Sequence, residues 1–508
     1  MANLAEYERY MRYLCERLGH ADRHAGFAEY SRGLMLPIER KSVEPLAAHT
    51  DPWHVRAKHQ SLRHVVAKSD RSDEAVLGGV REWVSPALKL KDECFWIVDD
   101  TGFPKKGKHS VGVARQYCGQ LGKQDNCQVA VSLSLASSRG SLPVAWRLYL
   151  PEEWASDPPR RKKAGVPTAV KFQTKPQIAL AQIRAAKATG VPVGVVLVDA
   201  GYGNDTAFRE SLKQMGLRYC VGVQASTSVW PPGVEPLPPR PKKSTGRPRK
   251  LLRRGRGHRP CSVKELAIGL PTRTWREVTW RQGTNTKLRS RFAAVRVRAA
   301  SRDYWRTTLR EEQWLLIEWP GGETEPIKYC LSTLPANTSL KSLVAKTMTR
   351  WRIESDYQEL KQEFGLSHYE GRGWRGFHHH ATLCIAAYGF LLSQRLKGGG
   401  DKKNCAQPKA SLLPEGYTPR GSRKNAALRS RLHCDAALPV RSRRCSAARP
   451  MSVLRTAVGE AKFVRQLRLN PILAVRRAKA RSSSGCESHP ANVAPAGSNR
   501  SSCPGSDG

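Results

Sequence analysis

Along the first 90 residues, apolar side chains recur every three or four positions amid charge, as in Tyr7, Tyr10, Met11, Leu14 and Leu18. That period predicts helices, and with them a small helical N-terminal domain over 1–90. From Phe95 the pattern changes to short apolar runs that end in acids or glycines: FWIV before Asp99, QVAVSLSLA at 128–136 and VPVGVVLV before Asp199. These are strand signals, with a helical stretch, PQIALAQIRAAKATG, ahead of the last of them. The pattern predicts an α/β fold beginning over 91–225.

Around 226–260 the text SVWPPGVEPLPPRPKKSTGRPRKLLRRGRGHRP is too rich in Pro, Gly, Arg and Lys to build a core, and it reads as an exposed basic loop. REVTW, RFAAVRVRAA and QWLLIEW follow between 275 and 334, separated by turn residues, so that 226–340 as a whole reads as a basic loop and β-rich insertion. Helix returns over 341–396. Its apolar run ATLCIAAYGFLL falls short of the roughly 18–20 residues a membrane span needs, which predicts a buried helix. After Lys397 the chain is dominated by Arg, Ser, Ala and Pro. The segment 397–508 reads as a basic tail of low order, or as the product of a reading-frame shift that was never selected to fold.

Charge narrows the class. The 508 residues hold 86 Lys and Arg against 43 Asp and Glu, a net charge of +43. Such an excess calls for a polyanionic partner, nucleic acid first and an anionic membrane next. The N-terminus, MANLAEYERYMRYLCERLGH, lacks the apolar core of a signal peptide. Thirteen cysteines without C-x-x-C spacing fit a reducing cytoplasm better than a disulfide framework or a zinc site.

The stretch WIVDDTGFPKKGKHS at 96–110 holds two candidate chemistries. From Gly102 it nearly spells a phosphate-cradling loop, but a proline lies inside it, His109 replaces the required hydroxyl, and SVGVARQYCG follows where an amphipathic helix belongs. The aspartates fit better. Strand alternation puts Phe95, Ile97 and Asp99 on one face and Trp96, Val98 and Asp100 on the other. The run before Asp199 repeats the design, with Val193, Val195 and Leu197 on its face. An acid ending an apolar strand is costly unless a cation or hydrogen-bond donors meet it. The plainer reading of each acid is a turn or helix cap, which is the role expected of Asp205 or Asn204 ahead of NDTAFRESLKQMG.

In TRWRIESDYQELKQEFGL, 349–366, Ile353, Tyr357, Leu360 and Phe364 form a core-facing stripe. Arg350, Glu354 and Lys361 line a polar face, with Glu354 held between two cations and Glu359 well around the helix. An exposed salt-bridged face is the plainer alternative. Two strand-end aspartates and a helical glutamate are the hard oxygen ligands that magnesium or manganese prefers. Two such ions roughly 4 Å apart would suit phosphodiester displacement.

The chain resembles the DDE transposases of bacterial insertion sequences. The resemblance is carried by VDDTGFPKKGKHSVGVARQYCGQLGKQDNCQVAVSL, LYLPEEWASDPPRRKKAGVP, FQTKPQIALAQI, VDAGYGND and RWRIESDYQELKQEFGLSHYEGRGWRGFHHHATLCIAAYGFL, over roughly residues 5–396. It implies an RNase H-like catalytic core interrupted by the β-rich insertion, preceded by a helical DNA-binding domain over 1–90, with Asp99, Asp199 and Glu354 as catalytic and metal-binding residues and Asp100 as the alternative to Asp99. Arg350 and Lys361 match the cations of the R-x3-E-x6-K signature and would contact DNA phosphates. Thr347 stands where related signatures carry Tyr. The implied cofactor is Mg2+ or Mn2+, two ions. The implied reaction is cleavage at the element's ends, followed by attack of the freed 3'-hydroxyls on target DNA. The partners are then double-stranded DNA, both terminal inverted repeats and target, and a second copy of the chain, with cytoplasmic, nucleoid-associated action.

Lys105, Lys106 and Lys108 read as DNA-backbone contacts beside this site. Arg247 and Arg249 in TGRPRK read as minor-groove residues of an AT-hook-like motif, or as part of a solvated basic loop. The consecutive His378, His379 and His380 point different ways on a helix and read as packing and phosphate contact without zinc. An inactive DNA-binding remnant or regulator, or a nuclease that cuts without joining, are the competing functions.

Overall fold

The structure is a computed structural model and describes residues 2–91, 93–240, 247, 249–282 and 287–398. The tail beyond 398, with the frame shift read into it, lies outside the described residues.

Five helices open the chain: α1 (Ala2–Cys15), α2 (Asp22–Leu34), α3 (Val43–Thr50), α4 (Val55–Ala67) and α5 (Asp73–Leu88). The stripe Tyr7, Tyr10, Met11, Leu14 and Leu18 is buried, as its period predicts. Next come β1 (Phe95–Pro104), β2 (Ala114–Cys118), β3 (Lys123–Ala136), β4 (Ser141–Leu148), α6 (Glu152–Ala155), α7 (Pro158–Ala164) and α8 (Lys175–Ala188). They are followed by β5 (Val195–Val198), α9 (Ala200–Gly203), α10 (Thr206–Gln214) and β6 (Tyr219–Val223). α8 starts where a capping box allows it: the Thr174 hydroxyl accepts from the Gln177 amide while the Gln177 side chain accepts from Thr174 N, and Pro176 lies in the first turn.

The remaining strands are β7 (Ser228–Trp230), β8 (Cys261–Ser262), β9 (Arg276–Gln282), β10 (Lys287–Ala299), β11 (Gln313–Glu318) and β12 (Lys328–Ser332), with α11 (Val263–Ile268) between β8 and β9. They join the same 12-stranded sheet, whose order is β2-β3-β1-β5-β6-β12-β11-β10-β7-β8, with β4 on β3 and β9 on β10. β1, β5 and β6 run parallel, whereas β12 closes antiparallel on β6. The protein is thus mixed α/β with one large sheet.

The stretch expected to be a wholly exposed loop from about 226 departs from that reading at its start. Trp230 is fully buried and donates its indole N–H to Asp303 at 2.6 Å, and Arg254 pairs with the same carboxylate at 2.6 Å. The composition average concealed these anchors because their partner lies 73 residues beyond Trp230 and 49 beyond Arg254.

α12 (Leu340–Met348), α13 (Arg352–Gln362) and α14 (Trp374–Lys397) complete the described chain. Ile353, Tyr357, Leu360 and Phe364 are buried as their spacing predicts. α14 is buried on all sides over most of its length, because α2, α4 and α5 pack on it from one side and β4 from another. Tyr10 donates to Ala386 O at 2.9 Å in that interface. Among the described residues no helix is long and apolar enough to cross a membrane.

Candidate active site

β1 does not stop at its acids. It pairs with β3 through Pro104, so Asp99 and Asp100 sit in mid-strand. The parallel partner β5 is what stops, at Val198, and leaves the edge of β1 open beside the acids. The parallel register is Phe95 with Val195, Trp96 with Val196 and Ile97 with Leu197. Continued by two residues, it sets Asp99 beside Asp199.

The two acids of β1 point to opposite faces. Asp99 lies opposite Ser132, whose hydroxyl meets that of Tyr357 on α13 at 2.8 Å. Asp100 lies toward α8 and α9, where Lys175 Nζ stands 3.1 Å from its Oδ2 and the Tyr202 hydroxyl donates to the same oxygen at 3.1 Å. Asp100 therefore already has a cation and a donor.

Asp199 ends β5 and caps α9, its Oδ1 accepting from Gly201 N at 2.9 Å and Tyr202 N at 3.4 Å. The capping reading of this residue is thus realised, and it coexists with a place beside Asp99. The strand before Asp199 is shorter than its apolar run: Pro192 and Val193 lie outside β5, Val193 is 61% exposed, and Pro192 O accepts from the Trp96 indole at 3.0 Å. Proline cannot donate to the ladder, so pairing begins after it. Two glycines let α9 lie against β6. A Cβ on Gly203 would meet Gly222 O at 2.0 Å, and one on Gly222 would meet Ala200 N at 2.9 Å. Asp205 caps α10 as expected, accepting from Ala207 N at 2.8 Å and Phe208 N at 3.3 Å.

Arg350, in the turn before α13, joins the site together. One guanidinium nitrogen donates to Asp99 Oδ2 at 2.8 Å and another to Glu354 Oε1 at 2.9 Å. Burial pushes the Asp99 carboxyl up to about 7; the Arg350 charge opposes this, and the Asp199 and Asp100 charges add to it. Burial alone would lower Arg350, but Asp99, Glu354 and Asp199 together raise it. Glu354 itself is 61% exposed.

Lys361 does not flank Glu354. Its Nζ donates to Gly102 O of β1 at 2.7 Å and to Gln120 Oε1 at 3.1 Å, and burial brings it down to about 8. Seven residues carry a helix about 10 Å along its axis, far enough to reach another acceptor. Glu359 pairs with Arg395, on a different side from Glu354.

The donor set favours a hard cation in part. Asp99 and Asp199 offer adjacent carboxylates, one of them buried and repelled by its neighbours. The third acid, Glu354, is tied to Arg350. Accordingly, no three acids, histidines or cysteines stand close enough among the described residues to form a finished metal cage.

Other expected contacts are engaged elsewhere. Lys105 is half-buried and donates to Tyr369 O at 3.0 Å, and burial lowers it. Lys106 and Lys108 are exposed. Arg247 and Arg249 are exposed, while much of the surrounding TGRPRK motif lies outside the described residues. The loop after β1 leads into β2 rather than a helix, which excludes a phosphate loop.

The three histidines pack, as expected, but they do not reach phosphate. His378 donates from Nδ1 to Trp374 O and accepts from Leu148 N. His379 lies between Asp73 and Ser69 O, and His380 between the Tyr30 hydroxyl and Gly365 O. Every ring nitrogen is used inside the protein.

The sequence reading missed Lys175 and Tyr202, whose partner Asp100 lies far away in the chain. It also missed Asp356, 3% exposed, which accepts from Ser141 Oγ at 2.6 Å and the Tyr388 hydroxyl at 3.0 Å and is pushed up to about 7 by burial. Its position three residues after Ile353, on the apolar stripe, was the available signal.

A family model described as DDE superfamily endonuclease matches residues 13–287, more than half of the chain. The match takes in Asp99 and Asp199 and ends before Glu354. A relative from Microchaete diplosiphon, described as "Probable transposase for insertion sequence element IS701", is 34% identical over 198 residues, which is 39% of this chain and 48% of the relative. The chain thus spans about half the length of the curated relative it matches.

Proposed function

The chain belongs to the DDE superfamily endonucleases, and from that premise we propose that it is the transposase of an insertion sequence. It would cut double-stranded DNA at the element's terminal repeats and join the freed 3'-hydroxyls to target DNA, acting as a homodimer on cytoplasmic, nucleoid DNA. The observation that carries this reading is the bridge from Asp99 through Arg350 to Glu354, beside Asp199: it draws a strand acid and a helix acid onto one cation.

Asp99, Asp199 and Glu354 would hold Mg2+ or Mn2+, with two ions suiting the reaction. Bound there, such ions supply Lewis acidity and a nucleophilic oxygen at neutral pH. Arg350 is placed to transfer one of its hydrogen bonds from a carboxylate to a DNA phosphate, which offers the same planar pair of oxygens. Lys361 fixes α13 to β1 through Gly102 O, so its part in DNA binding is positional. Lys106 and Lys108, exposed on the loop after β1, would meet the DNA backbone, with Arg247 and Arg249 as further contacts. The RNase H-like core would be the antiparallel β1, β3 and β4 with the parallel β5 and β6.

The test is magnesium-dependent cleavage and joining, using DNA from both flanks of the gene, with Glu354→Gln as the control. Joined products that disappear in the variant support the reading. Nicks without joined products would make the protein a nuclease, and binding without cutting in any divalent metal would make it an inactive relative.

A further inference from the structure

We infer that the turn Asp303–Trp305, beyond β10, is a stacking platform for unpaired bases of single-stranded DNA, remote from the catalytic acids. Trp305 is 63% exposed and Tyr304 42%. Leu251 is exposed as well, on the segment whose Leu252 N donates to Arg306 O at 2.9 Å. Grouped apolar side chains left in water and rimmed by charge mark an interaction surface. Neither the Tyr304 hydroxyl nor the Trp305 indole N–H has a hydrogen-bond partner among the described residues.

The fold holds these rings out at a cost. Asp303 is buried beneath the turn, where it accepts from the Trp230 indole, from Arg254 and from Tyr304 N at 2.8 Å. Arg302 enters the turn in the left-handed region, with φ +54°, which a residue other than glycine adopts only where its surroundings enforce it. A buried carboxylate and a strained backbone thus fix two aromatic rings at the surface. Their centroids lie 5.4 Å apart at 79°, so their faces are turned different ways.

Cations stand among the rings. The Arg302 guanidinium lies 5.7 Å from the Trp305 ring and that of Arg254 5.1 Å from the Tyr304 ring. Arg249, Lys250, Arg256 and Arg259 are exposed on the adjoining segment, and the chain carries no acid between Glu235 and Glu265. Glu311 and Glu312, further on, are matched by Lys213 and Arg298. Aromatic faces interleaved with cations suit a single strand, whose bases stack on the rings while its phosphates meet the arginines. A duplex keeps its bases stacked and offers only phosphates, and a second copy of this chain would bring the same cations. The platform is also distinct from the catalytic site: β10 is separated from β1 by β5, β6, β12 and β11, on the order of 24 Å across the sheet.

This inference rests on the DNA substrate proposed above but not on catalysis, so binding is measured in EDTA. The probes are a labelled oligothymidine of about 20 nucleotides and a duplex of the same length, titrated with the full chain over a salt series. Tyr304→Ala/Trp305→Ala is expected to melt at the wild-type temperature, to weaken oligothymidine binding at least about tenfold, and to hold duplex binding within about threefold. Its slope of log affinity against log salt should match that of wild type, because no cation is removed. Tyr304→Phe/Trp305→Phe keeps the ring faces and should stay within about threefold of wild type on both probes. Unchanged oligothymidine affinity in the alanine variant would overturn the inference, as would an equal loss on the duplex. Tighter wild-type binding of the matching oligouridine would overturn it in favour of RNA. Magnesium-dependent nicking by the same preparations reports on the proposed catalysis separately, so that either reading can fail alone.

Discussion

Arg350 and Asp99 form an ion pair of 2.8 Å that ties the turn before α13 to the middle of β1, across 251 residues of chain. The pair neutralises a carboxylate that burial and two neighbouring acids push toward protonation. Removing one partner of a largely buried pair leaves the other uncompensated, which costs about 2–4 kcal/mol at a partly solvated site. Arg350→Ala should therefore lower the melting temperature in EDTA, and millimolar Mg2+ should restore more stability to the variant than it adds to the wild type. A thermal scan with and without metal reads both; equal melting temperatures in EDTA would mean that Asp99 is balanced elsewhere.

Asp99 and Asp100 can be told apart by their faces. Asp100 is occupied by Lys175 and Tyr202, whereas Asp99 faces Glu354 through Arg350. Asp99→Asn should reduce magnesium-dependent nicking of supercoiled plasmid by at least about a hundredfold, since the interaction at stake is worth several kcal/mol. Asp100→Asn should stay within about tenfold of wild type. The reverse order of damage would transfer the assignment to Asp100.

The place of Asp199 depends on the contact between α9 and β6. Gly203→Ala puts a methyl 2.0 Å from Gly222 O, and backbone cannot give way as a flexible side chain can. The variant should lose about 1–3 kcal/mol in urea unfolding, together with much of its cleavage activity. Gly78→Ala, where a Cβ meets nothing within 4 Å inside α5, should be neutral or slightly stabilising. Equal effects of the two changes would remove the packing argument.

His380 supplies a pH dependence of known sign. Burial brings its imidazole down to about 4 from an ordinary 6.5, so the folded protein holds it neutral. Its contribution is present above pH 6.5 and is lost as pH falls toward about 4, because the unfolded chain takes up the proton first. The loss is of the order of 3 kcal/mol for 2.5 pH units of difference. His380→Gln should therefore lose less stability than wild type between pH 7 and pH 4.5 in denaturant titrations. Parallel losses would place the acid sensitivity in other groups.

Local patterns determined much of this protein. Three- and four-residue spacing located the N-terminal helices and the buried face of α13, alternating apolar runs located β3 and β9–β11, and an Asn-Asp-Thr signal located the cap at Asp205. Helix faces and caps arise from residues a few positions apart, so one line of text contains both partners of each interaction. The two aspartates were also legible as candidates, being acids at apolar runs, and the glutamate as an acid on the polar face of an amphipathic helix.

Their relationship was not legible. Strand register set Asp99 beside Asp199, and the docking of α13 brought Arg350 onto Asp99. The same docking took Lys361 away to Gly102 O, and Asp100 was matched with Lys175 and Tyr202 from two other elements. An apolar run shows that a strand forms, but its end is decided by where its partners end. β1 runs past its acids because β3 continues to pair with it, and β5 stops where Asp199 turns to cap α9. Charge neutralisation between segments about 75 to 250 residues apart is a property of the assembled sheet, and only the tertiary structure could decide which cation serves which acid.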